Sequence, residues 1–267
     1  MKLAIFGMFR SGTNYLWHLL SKDKRFKQCY TEPLHPHLLD EREKHKHYAI
    51  YNDSEIDKYF NWNLAFRQYV MEKIDVNFEL KRYLDYLIID NTLIKINRMS
   101  FRINWFRKNF PDVKCAGIVR DPRAFAFAHV LNGAEWDPIF FDLCLASSKF
   151  NDYLDPLKDE SVFVKLLAFW KLCVEEMLLS TSPLPIMTIE DLNKDRVSTL
   201  SNLYESIGLE FCDFASVLPD LVPDTDSYFW GDSTKYYDQV ESKVWEEAIE
   251  KTGVAEWMGI FGYEVKE

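Results

Sequence analysis

The sequence predicts an α/β protein in which a parallel sheet is covered by helices on both faces. Three observations carry this. Short, continuously apolar runs, among them "KLAIF", "VKCAGIV" and "LPIMTI", alternate with longer segments whose apolar residues recur every three or four positions. Within those short runs apolar and polar residues do not alternate, the pattern of strands buried on both faces. Two runs pass within a few residues through a tight turn into a helix, the connection on which α/β folds are built.

Taken in order, residues 2 to 6 read as the first strand, and residues 12 to 21 as a helix with Tyr15, Leu16, Leu19 and Leu20 on one face. "FKQCYTEPL" is a second strand that ends near Glu32, because Pro33 stops regular pairing. Residues 55 to 88 read as mainly helical, and "YLIID" closes that region as an apolar run ending in Asp90. "TLIKI" and "VKCAGIV" are strands separated by the basic helical segment "MSFRINWFRKNF". "DPRAFAFAHVL" opens a helix with Asp121 as cap and Pro122 at the first helical position. A long helix covers about Val162 to Ser180, "LPIMTI" is a further strand, and the rest is mostly helical.

The chain has 267 residues, 48% of them hydrophobic and 16% aromatic, and no Gly/Ser/Pro-rich linker, so one folded domain is expected. Only "LLDEREKHKH" has a locally disordered composition. A formal charge of -10 argues against a protein built to bind nucleic acid. The five cysteines are scattered, without a C-x-x-C pair, and read as reduced core residues. The apolar run after Met1 is too short for a signal peptide, and no run of about 18 apolar residues exists to span a membrane, so a cytoplasmic protein is expected.

The residues with chemistry to offer begin at "GMFRSGTN". Gly7 and Gly12 have the spacing of a phosphate-binding loop between a strand and a helix. Arg10, Ser11, Gly12, Thr13 and Asn14 offer a cation, two hydroxyls, a backbone open to close approach and an amide. Thr13 and Asn14 stand where a nucleotide kinase has its lysine and magnesium-binding hydroxyl. Against that, Asp90 at the end of an apolar run imitates the acidic strand end that holds magnesium. "AGIVRDPRAFAFAHV" supplies a second basic turn, because Arg120 follows a strand directly and so lies at the carboxyl edge of the sheet, where open α/β folds bind ligands. Two such turns suit a nucleoside carrying phosphate at two places.

In these stretches the chain resembles the sulfotransferases that use 3′-phosphoadenosine-5′-phosphosulfate (PAPS). "FRSGTNYL" is similar to their 5′-phosphosulfate loop and "IVRDPRAFAFAH" to their 3′-phosphate motif, while "AFWKLCVEEML" and "PIMTIEDL" agree with later family segments in order and spacing. The resemblance spans about residues 2 to 210 and implies a three-layer P-loop-like fold. Arginine at position 10 leans toward the carbohydrate-type and bacterial branches. The resemblance also implies that Arg10, Ser11, Gly12, Thr13 and Asn14 hold the 5′-phosphosulfate and Arg120 the 3′-phosphate. One departure is Ala128, where the family usually has a serine on the 3′-phosphate; His129 next to it is the compensating candidate, although a helical neighbour points about 100° away.

Sulfuryl transfer needs positioning and charge stabilisation rather than magnesium, which accounts for the missing lysine and metal hydroxyl. "TEPLHPHL" lies where the family places its acceptor side and offers Glu32 as the general base, with His35 second because its ordinary pKa is near neutral. His35, His37, His45 and His47 lack metal-site spacing, so no metal is expected. Lys95 and Arg98 face either the ligand crevice or solvent, Trp230 and Lys235 sit in a loop-like stretch without an assigned role, and Glu190 and Asp191 cap a helix or bind loop backbone.

The expectation is therefore a single domain over residues 1–267, with a helical insertion at about 40–90 on the acceptor side. It transfers a sulfuryl group from PAPS to a hydroxyl, or an amine, of a small-molecule or carbohydrate acceptor. The alternatives are an ATP-using nucleotide kinase of P-loop type and a non-catalytic nucleotide-binding protein of the same fold.

Overall fold

The computed structural model describes residues 1–35, 38, 59–60, 64, 78–130, 139–181, 184–212 and 238–264. Most of the expected insertion, together with His37, His45, His47, Trp230 and Lys235, lies outside the described residues. The described residues form five strands: β1 (Lys2–Gly7), β2 (Gln28–Thr31), β3 (Thr92–Lys95), β4 (Lys114–Val119) and β5 (Ile186–Thr188). They form one sheet of order β2-β3-β1-β4-β5 in which every pairing is parallel.

Side chains alternate across each strand and fill two separate cores. Leu3 and Ile5 of β1, Leu93, Ala116 and Ile118 pack with Tyr15, Leu16, Leu19 and Leu20 of helix α1 (Thr13–Leu20). Ala4, Phe6, Ile94 and Val119 face the opposite, larger core. There they meet α2 (Phe78–Leu87), α3 (Ile103–Asn109), α4 (Pro122–Val130), α5 (Ile139–Leu145) and the long α7 (Val162–Leu178), which follows a short helix α6 (Asn151–Leu154). Helices on both faces of a parallel sheet make the three-layer α/β architecture expected from the apolar runs. Beyond β5 follow α8 (Ile189–Lys194), α9 (Arg196–Ser206), α10 (Ser242–Thr252) and α11 (Ala255–Ile260).

Two sequence expectations are corrected. "YLIID" is the end of α2 and a turn, and its Asp90 side chain is exposed, 3.8 Å from Lys2 Nζ. Because Lys2 pairs with Thr92, Asp90 lies at the amino edge of the sheet, opposite the glycine loop, and the likeness to a magnesium-binding strand end disappears. All five cysteines are free, as expected, but only Cys115, Cys144 and Cys173 are buried; Cys212 is exposed. No helix among the described residues is long and apolar enough to cross a membrane.

Candidate active site

The carboxyl ends of β2, β3, β1 and β4 lie side by side, since Thr31 pairs with Lys95, Lys95 with Ile5, and Gly7 with Ile118. Every residue proposed for the site from sequence is brought to this edge.

The first turn runs from Gly7 to Thr13. Arg10 and Gly12 both adopt the left-handed conformation, at φ 65° and 86°. For glycine this carries no steric penalty, and a Cβ at position 12 would come within 2.5 Å of the Ile189 side chain, so the loop packs against the turn after β5 only as glycine. For Arg10 the conformation costs roughly 1–3 kcal/mol, the kind of strain that persists where surrounding structure enforces it. The Arg10 side chain is exposed, and burial of part of its guanidinium lowers its pKa while leaving it charged at neutral pH. Ser11 is fully buried, and its hydroxyl has no hydrogen-bond partner among the described residues. Gly12 gives α1 no side-chain cap, so the helix presents its amino end uncapped.

Next to the loop lies a chain of polar contacts in an otherwise apolar setting. Lys95, 2% exposed, donates to Asn14 Oδ1 at 2.5 Å, and its ammonium lies 2.9 Å from Glu32 Oε1. That second contact lacks hydrogen-bond alignment and is an ion pair by proximity; Glu32 Oε2 is buried and has no hydrogen-bond partner among the described residues. Glu32 itself sits at φ 48°, a second strained residue at the same edge. His35 follows on the turn, half-buried, its backbone N–H donating to the Glu32 carbonyl at 2.9 Å. Asn97 donates from Nδ2 to Thr13 Oγ1 at 3.0 Å. Lys95 and Arg98 are thus both buried, which removes the solvated alternative for them. The Arg98 guanidinium lies 5.3 Å over the Phe9 ring and 5.6 Å over that of Phe140. The signal for Lys95 was present in sequence, as a lysine closing an apolar run; Asn97 gave none.

The second turn places Arg120 directly after β4, 2% exposed, with Nη1 donating to the Arg10 carbonyl at 3.4 Å. Asp121 caps α4 as expected: the Arg123 N–H donates to its Oδ1 at 2.8 Å, and the Arg123 guanidinium pairs with the same carboxylate. Ala128 is buried. Burial and the Arg10 charge push the pKa of His129 down to about 3, so its imidazole is neutral, hydrogen-bonded to the Phe9 backbone. The ring thus stands as a neutral group against the first loop, one residue after Ala128 on α4. Thr188 caps α8 and exchanges hydrogen bonds with Asp191, while Glu190 accepts from the Asp121 N–H, so both carboxylates have the capping and backbone roles expected of them.

Chemically, the edge offers two cations on neighbouring turns, a buried hydroxyl, an uncapped helix start and a carboxylate balanced by one lysine. It suits an anion held at two points beside a group able to take a proton. No cluster of three or more metal-ligating side chains occurs among the described residues.

Two bacterial proteins of known structure are similar to the chain. Sulfotransferase STF9 from Mycobacterium avium is 16% identical, with 99% of this chain and 77% of that one covered and a TM-score of 0.54. The sulfotransferase domain of the Synechococcus PCC 7002 olefin synthase is 15% identical, covering 99% and 95%, with a TM-score of 0.49. No curated protein sequence matches the chain significantly. The sequence model described as "Sulfotransferase family" matches residues 3–213, a stretch that takes in both basic turns and all five strands, and the chain therefore belongs to the sulfotransferase family.

Proposed function

We propose that the protein transfers the sulfuryl group of PAPS to a hydroxyl, or an amine, of a small-molecule or carbohydrate acceptor. The observation that carries this reading is the union of the two basic turns: β1 and β4 are neighbours, and Arg120 reaches the Arg10 carbonyl. A nucleoside with anionic groups at its 5′ and 3′ positions fits two such turns, whereas ATP has no 3′-phosphate for Arg120. The buried Ser11 hydroxyl, without a hydrogen-bond partner among the described residues, and the uncapped start of α1 fit an anion at the first turn.

In this reading PAPS supplies a sulfuryl group on a phosphate leaving group. Ser11, Gly12, Thr13 and Asn14 hold the 5′ end and Arg120 the 3′-phosphate. Glu32 takes the proton of the acceptor hydroxyl as the new O–S bond forms and the bond to the bridging oxygen breaks. Arg10 stabilises the negative charge developing on that oxygen, which departs with 3′,5′-adenosine bisphosphate. Lys95 offsets the charge of Glu32 and ties it to Asn14, so the base and the donor loop share one anchor. His35 is the second choice of base. Residues 1–267 act as one domain with segment 40–90 on the acceptor side; Phe60 and Leu64 of that segment share an apolar core with Phe6 and Trp170, which supports the single domain. Work in the cytoplasm suits its three buried thiols.

The test is a calorimetric titration of the protein with 3′,5′-adenosine bisphosphate and with magnesium ATP. The bisphosphate is expected to bind at least about tenfold more tightly, the worth of one good charged contact. Preference for ATP would replace the reading with a kinase. Bisphosphate binding without sulfate transfer across a broad acceptor panel would leave a nucleotide-binding protein.

A further inference from the structure

The segment beyond the family match contributes to the second basic turn. After α11 the chain reverses at Gly262, whose φ of 72° allows the Tyr263 N–H to bond the Met258 carbonyl at 3.0 Å and its own N–H to bond that of Gly259 at 3.1 Å. This helix-ending motif turns Tyr263 inward, and the side chain is buried. Its hydroxyl donates to Glu190 Oε2 at 3.0 Å, and Glu190 Oε1 accepts the backbone N–H of Asp121 at 3.2 Å. At the other polar atom of the same peptide, the indole N–H of fully buried Trp170 donates to the Arg120 carbonyl at 2.8 Å. Both polar atoms of the Arg120–Asp121 peptide are therefore held by side chains from elsewhere in the fold. Phe261 closes the arrangement, its ring edge-on to Trp170 at 6.4 Å and 6.0 Å from that of Tyr263.

We propose that Tyr263, acting through Glu190, is a positioning residue that sets the direction of Arg120 toward a 3′-phosphate. The inference rests on the reading of Arg120 given under the proposed function. Burial and the neighbouring Glu190 and Asp121 carboxylates raise the Tyr263 pKa, so the phenol stays protonated and remains a donor. A carboxylate held at one oxygen by a fixed phenol has a single orientation in which the other oxygen meets the Asp121 N–H. Without the phenol, Glu190 loses the contact that fixes its Oε2, and its bond to the Asp121 N–H is less firmly set.

The experiment compares wild type, Tyr263→Phe and Glu190→Ala by calorimetric titration with 3′,5′-adenosine bisphosphate and with 5′-AMP, which lacks the 3′-phosphate. Thermal melting checks that each variant is folded. The expected result is that both variants bind the bisphosphate about five- to tenfold more weakly and 5′-AMP within about twofold of wild type. Equal weakening of both nucleotides, or no change in either, would overturn the proposal: the first leaves general support of the fold, the second a spectator tyrosine. Wild type that does not distinguish the two nucleotides would instead remove the 3′-phosphate from Arg120, and this inference with it. Tyr263→Phe keeps the ring in its apolar setting; should it fail to fold, Glu190→Ala reads the same ratio.

Discussion

Arg10 and Glu32, the two residues assigned to the chemistry, are two of the three non-glycine residues at positive φ among those described, and both lie at the carboxyl edge of the sheet. Strain concentrated where the candidate chemistry is placed is consistent with side chains held in position in advance of ligand. If Arg10 acts in the transition state, Arg10→Ala lowers turnover by about 10²–10³ and donor affinity by far less. Steady-state kinetics beside donor titration separates the two effects. Gly12→Ala combines a disfavoured φ with a contact at 2.5 Å to Ile189, and is expected to destabilise the fold by roughly 2 kcal/mol or more, measured by urea unfolding. Lys95→Met leaves Glu32 buried without its counter-charge and should cost about 3 kcal/mol or more; adding Glu32→Gln should restore much of that stability without restoring activity. A double-mutant cycle measures the coupling.

Between elements, the joint of α1 and β2 with α9 is electrostatic as well as apolar. Asp23, buried in the turn after α1, receives hydrogen bonds from Arg25 and, at 2.9 Å, from the Tyr204 hydroxyl. Burial raises its pKa, but the Arg25 and Tyr204 hydrogen bonds outweigh that and leave it below the ordinary 3.8. A lowered folded-state pKa means that the stabilisation is complete above the unfolded-state value and is lost as pH falls through the folded one. Unfolding midpoints measured from pH 6 down to pH 3 should therefore fall less steeply in Asp23→Asn than in wild type, from a lower starting stability.

For the molecule as a whole, the family match ends at residue 213 while the core does not. Trp245, Ala248, Ile249, Val254, Met258 and Tyr263 belong to the same apolar core as Phe6 and Trp170. The last carbonyl of α10, at Thr252, accepts from Tyr153 Oη at 2.9 Å and from Lys171 Nζ at 3.1 Å. Deleting residues 238–267 should accordingly abolish cooperative thermal unfolding rather than trim a tail, with circular dichroism showing loss of the sharp transition.

The sequence by itself determined the strands, the parallel sheet and the two basic turns, because continuous apolar runs, glycine spacing and a capping Asp-Pro are local signals that need no partner. It located Arg10 through Asn14, Glu32, His35 and Arg120 for the same reason: each follows a strand directly, and strand ends share one edge. The tertiary structure decided what those residues touch. That Lys95 is buried between Glu32 and Asn14 depends on three strands being neighbours although their residues lie up to 81 positions apart. That His129 is neutral depends on its burial beside Arg10. Asp90 was misread because an apolar run does not say whether it is a strand end or the last turn of a helix. Tyr263 carried no signal, since its partner Glu190 is 73 positions away and only folding brings the phenol to the carboxylate that orients Arg120.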